Sequence, residues 1–271
     1  MRKLDVPLTD DRAILERLRA SGAGSAVAIR PHLDAMRNRY DTYEQHNGDP
    51  WRVTLDNTFA NVRDDLQHLY KKPVAALDFI KALRHSLTGA CPVCGRDSLG
   101  TLDHYLPKAD YSEFSFFSRN LVPSCDRCNN ARGNDVMGPH PGQRPLHPYY
   151  DAFAQRRIMS VRFEPDWRAP RITPIPFDVA GDELAIVQWH IDHVIRPAGV
   201  EDYLIGLWGP LVTEPAEFFE GVTDRQGVLA SLNNQLRAEV ALGRSQNSWR
   251  SCFFHGLVSN NDAIDYLTTL I

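Results

Sequence analysis

Two C-x-x-C pairs and an Asp-His pair lie close together in the middle of the sequence. The cysteine pairs belong to CPVCG and SCDRC, and LDHYLPK lies between them. Two such pairs form the common thiolate donor set of a structural zinc ion, because each short turn directs its two sulfurs toward one point. We therefore predict a structural Zn²⁺ site formed by Cys91, Cys94, Cys125 and Cys128.

The residues around these cysteines indicate the local structure that carries them. Gly95 follows the first pair and can adopt the positive φ of a tight zinc-knuckle turn. Ser124 is placed as an N-cap and Gly133 as a helix-ending residue, which predicts a short helix from about Cys125 to Arg132. The alternative is four unrelated buried cysteines, and the pairing argues against it. The fifth cysteine, Cys252, lies in an apolar stretch and is expected to be a buried thiol.

A zinc ion held by four thiolates has no open position for a substrate, so chemistry requires other residues. Asp103 and His104 are the first candidates. An isolated Asp-His pair is usually a strand with a capping Asp and a partly buried His. Here Asn120 follows after 15 residues and Asn129 after a further 8, which favours a composite site.

In three segments the sequence resembles the HNH endonucleases, whose ββα-metal site is built on a hairpin and a helix. These segments are LDHYLPK (102–108), NLVPSC (120–125) and CNNARG (128–133). Many members of that family carry the same two C-x-x-C pairs around the active site. The HNH domain of CRISPR effector nucleases is similar in its Asp-His and Asn positions but lacks the cysteines. The resemblance covers roughly residues 91–150.

The resemblance implies a role for each polar residue. His104 would be the general base that takes a proton from the attacking water, since an imidazole titrates near working pH. Asp103 and Asn129 would offer a carboxylate and an amide oxygen to a divalent cation, Mg²⁺ or Mn²⁺, which stabilises the transition state. Asn120 would orient the His104 loop by hydrogen bonding. If the alignment with the HNH motif were shifted by one residue, Asn130 would take this role, but the spacing from Asn120 favours Asn129.

The substrate is expected to be nucleic acid, with DNA favoured and with 5′-phosphate and 3′-hydroxyl products. Lys108 and Arg132 are candidates for phosphate contact, although each can equally be a solvated surface charge. An RNA- or tRNA-cleaving HNH toxin is one alternative function. A zinc-bearing binding module without cleavage is another, and the intact set of polar site residues argues against it.

The segment LHPYYDAF, with His147, is similar to one in HNH nucleases of bacterial anti-phage systems, including Septu-type and some retron-associated ones. We expect His147 to pack this connector against the zinc module. The resemblance implies a nuclease subunit with an ATPase or another sensor as its partner, since the chain has no G-x-x-x-x-G-K-[ST] loop. His190 and His193, in WHIDH, could form a metal pair, but no Cys or further His lies nearby and we do not predict one.

Composition and charge limit the classes of protein. Of the 271 residues, 43% are apolar and 24% charged, which is typical of a globular protein. No run of about 18 apolar residues and no signal peptide occurs, so we predict a cytoplasmic protein without a membrane span. The net charge is −4. A nuclease with this charge must bind substrate through metal, through basic groups from elsewhere in the chain, or through a partner.

Apolar spacing predicts a mainly helical body with a few additional strands, and the resemblance implies an embedded, zinc-stapled ββα-metal module, which together make an α+β fold. We divide the chain into an N-terminal helical region (1–88), the HNH nuclease module with its structural zinc (89–150) and a mostly helical C-terminal α+β region (151–271). Three helical stripes are predicted before the module, and two strands and several helices after it. The predicted positions of these elements are the stripes Leu33/Met36/Tyr40/Tyr43, Phe59/Val62/Leu66/Leu69 and Val74/Leu77/Ile80/Leu83, the strands RIMSVRFEP and RITPIPF, a helix with Leu229/Leu232/Leu236/Val240, and a last helix after Asn260.

Overall fold

The computed structural model describes residues 1–86 and 88–271, except for the side chain of Arg132. Within these residues the architecture is mainly helical, with short strands in two separate antiparallel sheets, which confirms the predicted α+β class. None of the helices described is long and apolar enough to cross a bilayer.

The elements are numbered in chain order. The α-helices are α1 (Asp11–Arg19), α2 (Gly24–Ile29), α3 (Leu33–Gln45), α4 (Arg63–Lys71), α5 (Phe79–Arg84), α6 (Asp126–Arg132), α7 (Gly181–His190), α8 (Val200–Thr213), α9 (Pro215–Phe218), α10 (Arg225–Gly243), α11 (Trp249–Val258) and α12 (Asn261–Thr268). The strands are β1 (Thr101–His104), β2 (Leu121–Ser124), β3 (Met159–Glu164) and β4 (Arg171–Pro176). A π-helical turn over Ile191–Ile195 extends α7.

The predicted apolar stripes of the N-terminal region form much of its core. Leu33, Met36, Tyr40 and Tyr43 are all buried on one face of α3, as a helical repeat requires. The second stripe is divided between two elements. Phe59 and Val62 belong to the 3₁₀ turn Asn57–Val62, and only Leu66 and Leu69 belong to α4. The third stripe is divided in the same way between the 3₁₀ turn Ala75–Leu77 and α5.

Strands β1 and β2 pair antiparallel, and α6 follows β2 directly, so the chain forms a ββα unit. In this hairpin Asp103 lies opposite Val122, and His104 lies opposite Leu121. Helix α5 packs against β1. His104, the predicted general base, is therefore the last residue of β1 and lies where the loop between the strands begins.

The predicted N-cap of α6 was wrong by one residue. Cys125 is the N-cap, with its Sγ accepting from the backbone N–H of Cys128 at 3.4 Å. Ser124 instead ends β2, and its hydroxyl lies 3.0 Å from that of Thr101 across the hairpin. The sulfur takes the capping role because Cys125 has extended backbone angles and lies next to the first free N–H groups of the helix. Gly133 ends the helix as predicted, with a φ of +59°.

The C-terminal region contains the predicted strands and helices. Strands β3 and β4 pair antiparallel, with Val161 opposite Pro174. Prolines are tolerated in this sheet because each of its two strands is an edge. Helix α11 packs against β3. Helix α12 begins after Asn260, whose side chain accepts from the N–H of Ala263 at 2.9 Å, as predicted for an N-cap.

Hydrogen bonds from the C-terminal helices fix the turn that carries the first cysteine pair. His190 of α7 accepts from the N–H of Leu146 at 3.0 Å and donates from Nε2 to the carbonyl of Val93 at 2.7 Å. Trp249 of α11 donates from its indole to the carbonyl of Cys94 at 2.6 Å. Buried apolar side chains from all three predicted regions form one continuous cluster. The division into three regions stays a prediction about the sequence.

Candidate metal centre and candidate active site

The four paired cysteines converge on one buried point. Their sulfurs all lie within 4.8 Å of one another. The separations are 3.9 Å for Cys91–Cys128, 3.7 Å for Cys94–Cys125 and 3.4 Å for Cys125–Cys128. A tetrahedron with metal–sulfur bonds of about 2.3 Å has sulfur–sulfur edges of about 3.8 Å. The cluster could therefore hold a metal ion with little movement.

Backbone N–H groups surround this cluster in the way that thiolate ligands require. The N–H groups of Arg96, Cys125 and Cys128 each donate to a cluster sulfur at 3.4 Å. The turn after the first pair needs glycine, since Gly95 has a φ of +90°. A Cβ at Gly95 would lie only 2.4 Å from the carbonyl oxygen of Asn247. The positive φ predicted for Gly95 is confirmed.

A separate cavity of about 250 Å³ lies beside the ββα unit and contains most of the predicted polar residues. Asp103, His104, Lys108 and Asn129 line it together, with Gln67, Pro107, Ala109, Gly133 and Asn134 completing the wall. Asn130, the alternative in register, is not among the described lining residues. The structure thus brings a carboxylate, an imidazole, an amide and an ammonium group to one small volume.

The orientation of His104 is set by a backbone carbonyl. His104 is only 4% exposed, and its Nε2 lies 2.9 Å from the carbonyl oxygen of Ser115. A carbonyl can only accept, so Nε2 is the donor, and Nδ1 is then the basic nitrogen of the neutral ring. The edge of the Tyr70 ring packs on the imidazole, with ring centroids 4.4 Å apart. This arrangement fixes the ring and leaves Nδ1 as the nitrogen that can accept a proton.

Asn120 lies outside the cavity and binds the loop that follows His104. Its Oδ1 accepts from the N–H of Leu106 at 2.7 Å, and its Nδ2 donates to the carbonyls of Leu106 at 3.0 Å and Phe114 at 3.2 Å. Asn120 is fully buried. Its amide therefore supplies the hydrogen bonds that these loop backbone groups would otherwise make in a helix or sheet.

A chain of side-chain hydrogen bonds connects Asn120 to the connector. His147 accepts at Nδ1 from the N–H of Tyr149, so its Nε2 is the donor toward the hydroxyl of Tyr43, 3.0 Å away. That hydroxyl in turn lies 3.2 Å from Oδ1 of Asn120. The ring of His147 also packs on that of Tyr105, at 3.9 Å between centroids. These contacts agree with the packing role predicted for His147.

Four further residues were considered from the sequence: Lys108 and Arg132 as phosphate contacts, and His190 and His193 as a metal pair. Lys108 is half-buried; burial lowers its pKa, and the carboxylate of Asp103 acts in the opposite direction. The side chain of Arg132 lies outside the described residues. His190 contacts backbone groups, as given above, and His193 stacks on Trp189 at 4.4 Å. Among the described residues, these two histidines belong to no cluster of three or more metal-binding side chains.

Several contacts of the candidate site were not predicted. Helix α4 supplies Tyr70 against His104, and it supplies Gln67, whose amide donates to the carbonyl of Lys108 at 3.1 Å. Helix α3 supplies Tyr43, which the sequence indicated only as a core residue. Ser115 takes part through its carbonyl, which no side-chain pattern can indicate. The amphipathic repeat of α4 was the one available signal that this helix packs on the module.

Comparisons with known proteins give one partial similarity. No protein-family profile matches the chain, and no solved structure matches it. The chain is similar to "Protein ea31" of Escherichia phage lambda, with 42% identity over 105 residues. The matched segment covers 38% of this chain and 33% of that protein. The chain thus spans about a third of this relative.

Replacing Asn120 by alanine should destabilise the fold. The N–H of Leu106 and the carbonyls that Asn120 serves would lose a buried partner, which costs about 1–3 kcal/mol of unfolding free energy. Denaturant unfolding of the purified variant measures this loss. Asn130→Ala, at an exposed position of α6, is the matched control and should change stability by less than about 0.5 kcal/mol. Equal stability of the two variants would contradict the role assigned to Asn120.

Proposed function

We propose that the chain is a metal-dependent endonuclease of the HNH type that hydrolyses phosphodiester bonds in nucleic acid, with DNA as the expected substrate. One observation carries the proposal. Asp103, His104 and Asn129 line a single cavity on a ββα unit, directly beside a buried four-cysteine cluster. Spacing in the sequence suggested these residues as a set, and their common location supports that choice.

Two different metals fit the two sets of donors. Zn²⁺ suits the four soft sulfurs, where it would stabilise the hairpin and the start of α6 without touching substrate. Mg²⁺ or Mn²⁺ suits the hard oxygens of Asp103 and Asn129. A cation bound there would stabilise the charge that develops on the scissile phosphate and on the leaving 3′-oxygen.

His104 is the group that we propose as general base. Its Nδ1 takes a proton from a water molecule, and the water oxygen attacks phosphorus. The bond from phosphorus to the 3′-oxygen breaks, and the departing oxygen takes a proton from solvent water, which leaves a 5′-phosphate and a 3′-hydroxyl. The carbonyl of Ser115, which accepts from Nε2 at 2.9 Å, holds the ring in place and stabilises the imidazolium that forms.

Asn120 and Lys108 have supporting roles in this proposal. Asn120 positions His104 through the backbone of the loop that follows it. Lys108 lines the same cavity as Asp103, and we propose that its ammonium group contacts a phosphate oxygen. Arg132 was predicted to do the same, and this stays a prediction.

The biological setting that we propose is anti-phage defence, with an ATPase or another sensor protein as partner. Support comes from the resemblance of the LHPYYDAF segment to that of defence-system nucleases. An RNA-cleaving toxin and a zinc-bearing binding module are the alternative functions. Incubation with plasmid DNA, single-stranded DNA and RNA distinguishes them, because the three candidates differ in which polymer they cleave.

Replacing His104 by alanine should lower the rate of cleavage by about 10²–10⁴-fold, since the general base is lost. Plasmid cleavage in Mg²⁺ or Mn²⁺, with EDTA as the blank, measures the rate. Zinc content and thermal unfolding should stay near those of the wild type. His140→Ala, at an exposed position before the LHPYYDAF segment, is the control and should cleave normally. Undiminished cleavage by His104→Ala would remove His104 as the base.

Replacing Cys125 by serine should release the structural zinc. The hard hydroxyl is a poor zinc ligand, so the ββα unit loses its cross-link and unfolds at lower temperature. Metal analysis by mass spectrometry and thermal unfolding measure both effects. Cys252→Ser is the control: Cys252 is also buried, but its sulfur donates to the carbonyl of Met159, and zinc should be retained. A zinc-free Cys125→Ser protein that is folded and active would refute the stabilising role.

A further inference from the structure

A second cavity, of about 370 Å³, lies between the end of α4 and α5, next to the candidate active site. We call it the basic cleft. Its charged and aromatic lining residues are Tyr70, Lys71, Asp78, Lys81, Arg84 and His85. Three permanent cations and one titratable imidazole thus face a single carboxylate.

The cations of the basic cleft differ from several arginines of the N-terminal region that are held in ion pairs. Arg12 pairs with Asp41 and Glu44, and Arg19 pairs with Asp34 and Glu16. Within the part of the chain that the structure describes, the ion pairs include none with Lys71, Lys81 or Arg84. Their charge is therefore available to an external anion.

One side chain, Tyr70, links the basic cleft to His104. Tyr70 lines the cleft, and its ring contacts the imidazole of His104 at 4.4 Å between centroids. The ammonium of Lys108, which lines the His104 cavity, lies 5.5 Å from the same ring. Burial raises the pKa of the Tyr70 phenol, and the Arg84 guanidinium acts in the opposite direction, so Arg84 lies close to that hydroxyl. Cations thus extend from Lys108 past Tyr70 into the cleft.

We propose that the basic cleft binds the phosphate backbone of the nucleic-acid substrate and leads the strand to His104. The inference rests on the proposed nuclease function and names the surface that binds its substrate. It also explains how a protein with a net negative charge can bind a polyanion. The chain carries −4 overall, so a polyanion needs a local group of unpaired cations, and Lys71, Lys81 and Arg84 supply one beside the site of cleavage.

Binding of DNA to charge-neutralised variants tests this inference. The cleft variant combines Lys71→Gln, Lys81→Gln and Arg84→Gln in the His104→Ala protein, so that the probe is not consumed. The control variant carries Arg162→Gln, Arg168→Gln and Arg171→Gln in the same background. These three arginines are exposed, line no part of the cleft, and give the same change in net charge. A fluorescein-labelled DNA duplex is titrated by anisotropy over a series of salt concentrations.

The cleft variant should bind more weakly than the His104→Ala parent, and its affinity should depend less on salt. Three lost phosphate contacts reduce the slope of log affinity against log salt by about 2–3 for duplex DNA. The control variant should keep the affinity and slope of the parent. Equal affinity and slope for the cleft and control variants would overturn the inference.

Cleavage assays separate this inference from the nuclease proposal. The same cleft substitutions in the protein with His104 intact should lower the rate of plasmid cleavage at low DNA concentration. If the wild type is active and the cleft variant cleaves and binds DNA like the control variant, the cleft does not bind substrate, and the nuclease proposal is unaffected. If the wild type cleaves nothing but only the cleft variant loses DNA binding, the nuclease proposal fails, and the cleft is still a DNA-binding surface.

Discussion

Four cysteine sulfurs meet at one buried point, and this contact holds the start of the ββα hairpin against the start of its helix. Cys91 and Cys94 precede β1, and Cys125 and Cys128 begin α6, so the cluster joins the two ends of the hairpin. A two-stranded sheet this short is marginal by itself in water and needs support from outside its own pairing. Asn129, the residue after Cys128, lines the same cavity as Asp103 and His104.

The helical body completes the module rather than only covering it. Helices α7 and α11 fix the first cysteine turn through His190 and Trp249. Helix α3 reaches the loop after His104 through Tyr43 and Asn120. Helix α4 packs Tyr70 on the imidazole, and with α5 it forms the basic cleft. Positioning of the proposed base, and the substrate binding that we propose for the cleft, therefore both involve residues far from the motif in sequence.

Much of this arrangement could be predicted because it depends on local spacing. The cysteine pairs, the apolar face of α3, strands β3 and β4, and the Asn260 cap all follow from residues a few positions apart. The cap of α6 was predicted one residue too early, because Cys125 takes the role that a serine usually has. The partners of His104 and Asn120 could not be predicted, since a backbone carbonyl and a core tyrosine give no distinct signal. Lys71 and Lys81 look like ordinary surface residues until the fold places them in one cleft with Tyr70, whose ring contacts His104.

We propose that the chain has two separate metal sites, one of sulfur and one of oxygen ligands. Anomalous diffraction from crystals soaked in Mn²⁺, recorded at the zinc and manganese absorption edges, would locate both ions. The account predicts a zinc signal at the centre of the four sulfurs and a manganese signal between the side-chain oxygens of Asp103 and Asn129. Zinc alone, with no manganese signal beside Asp103, would contradict it.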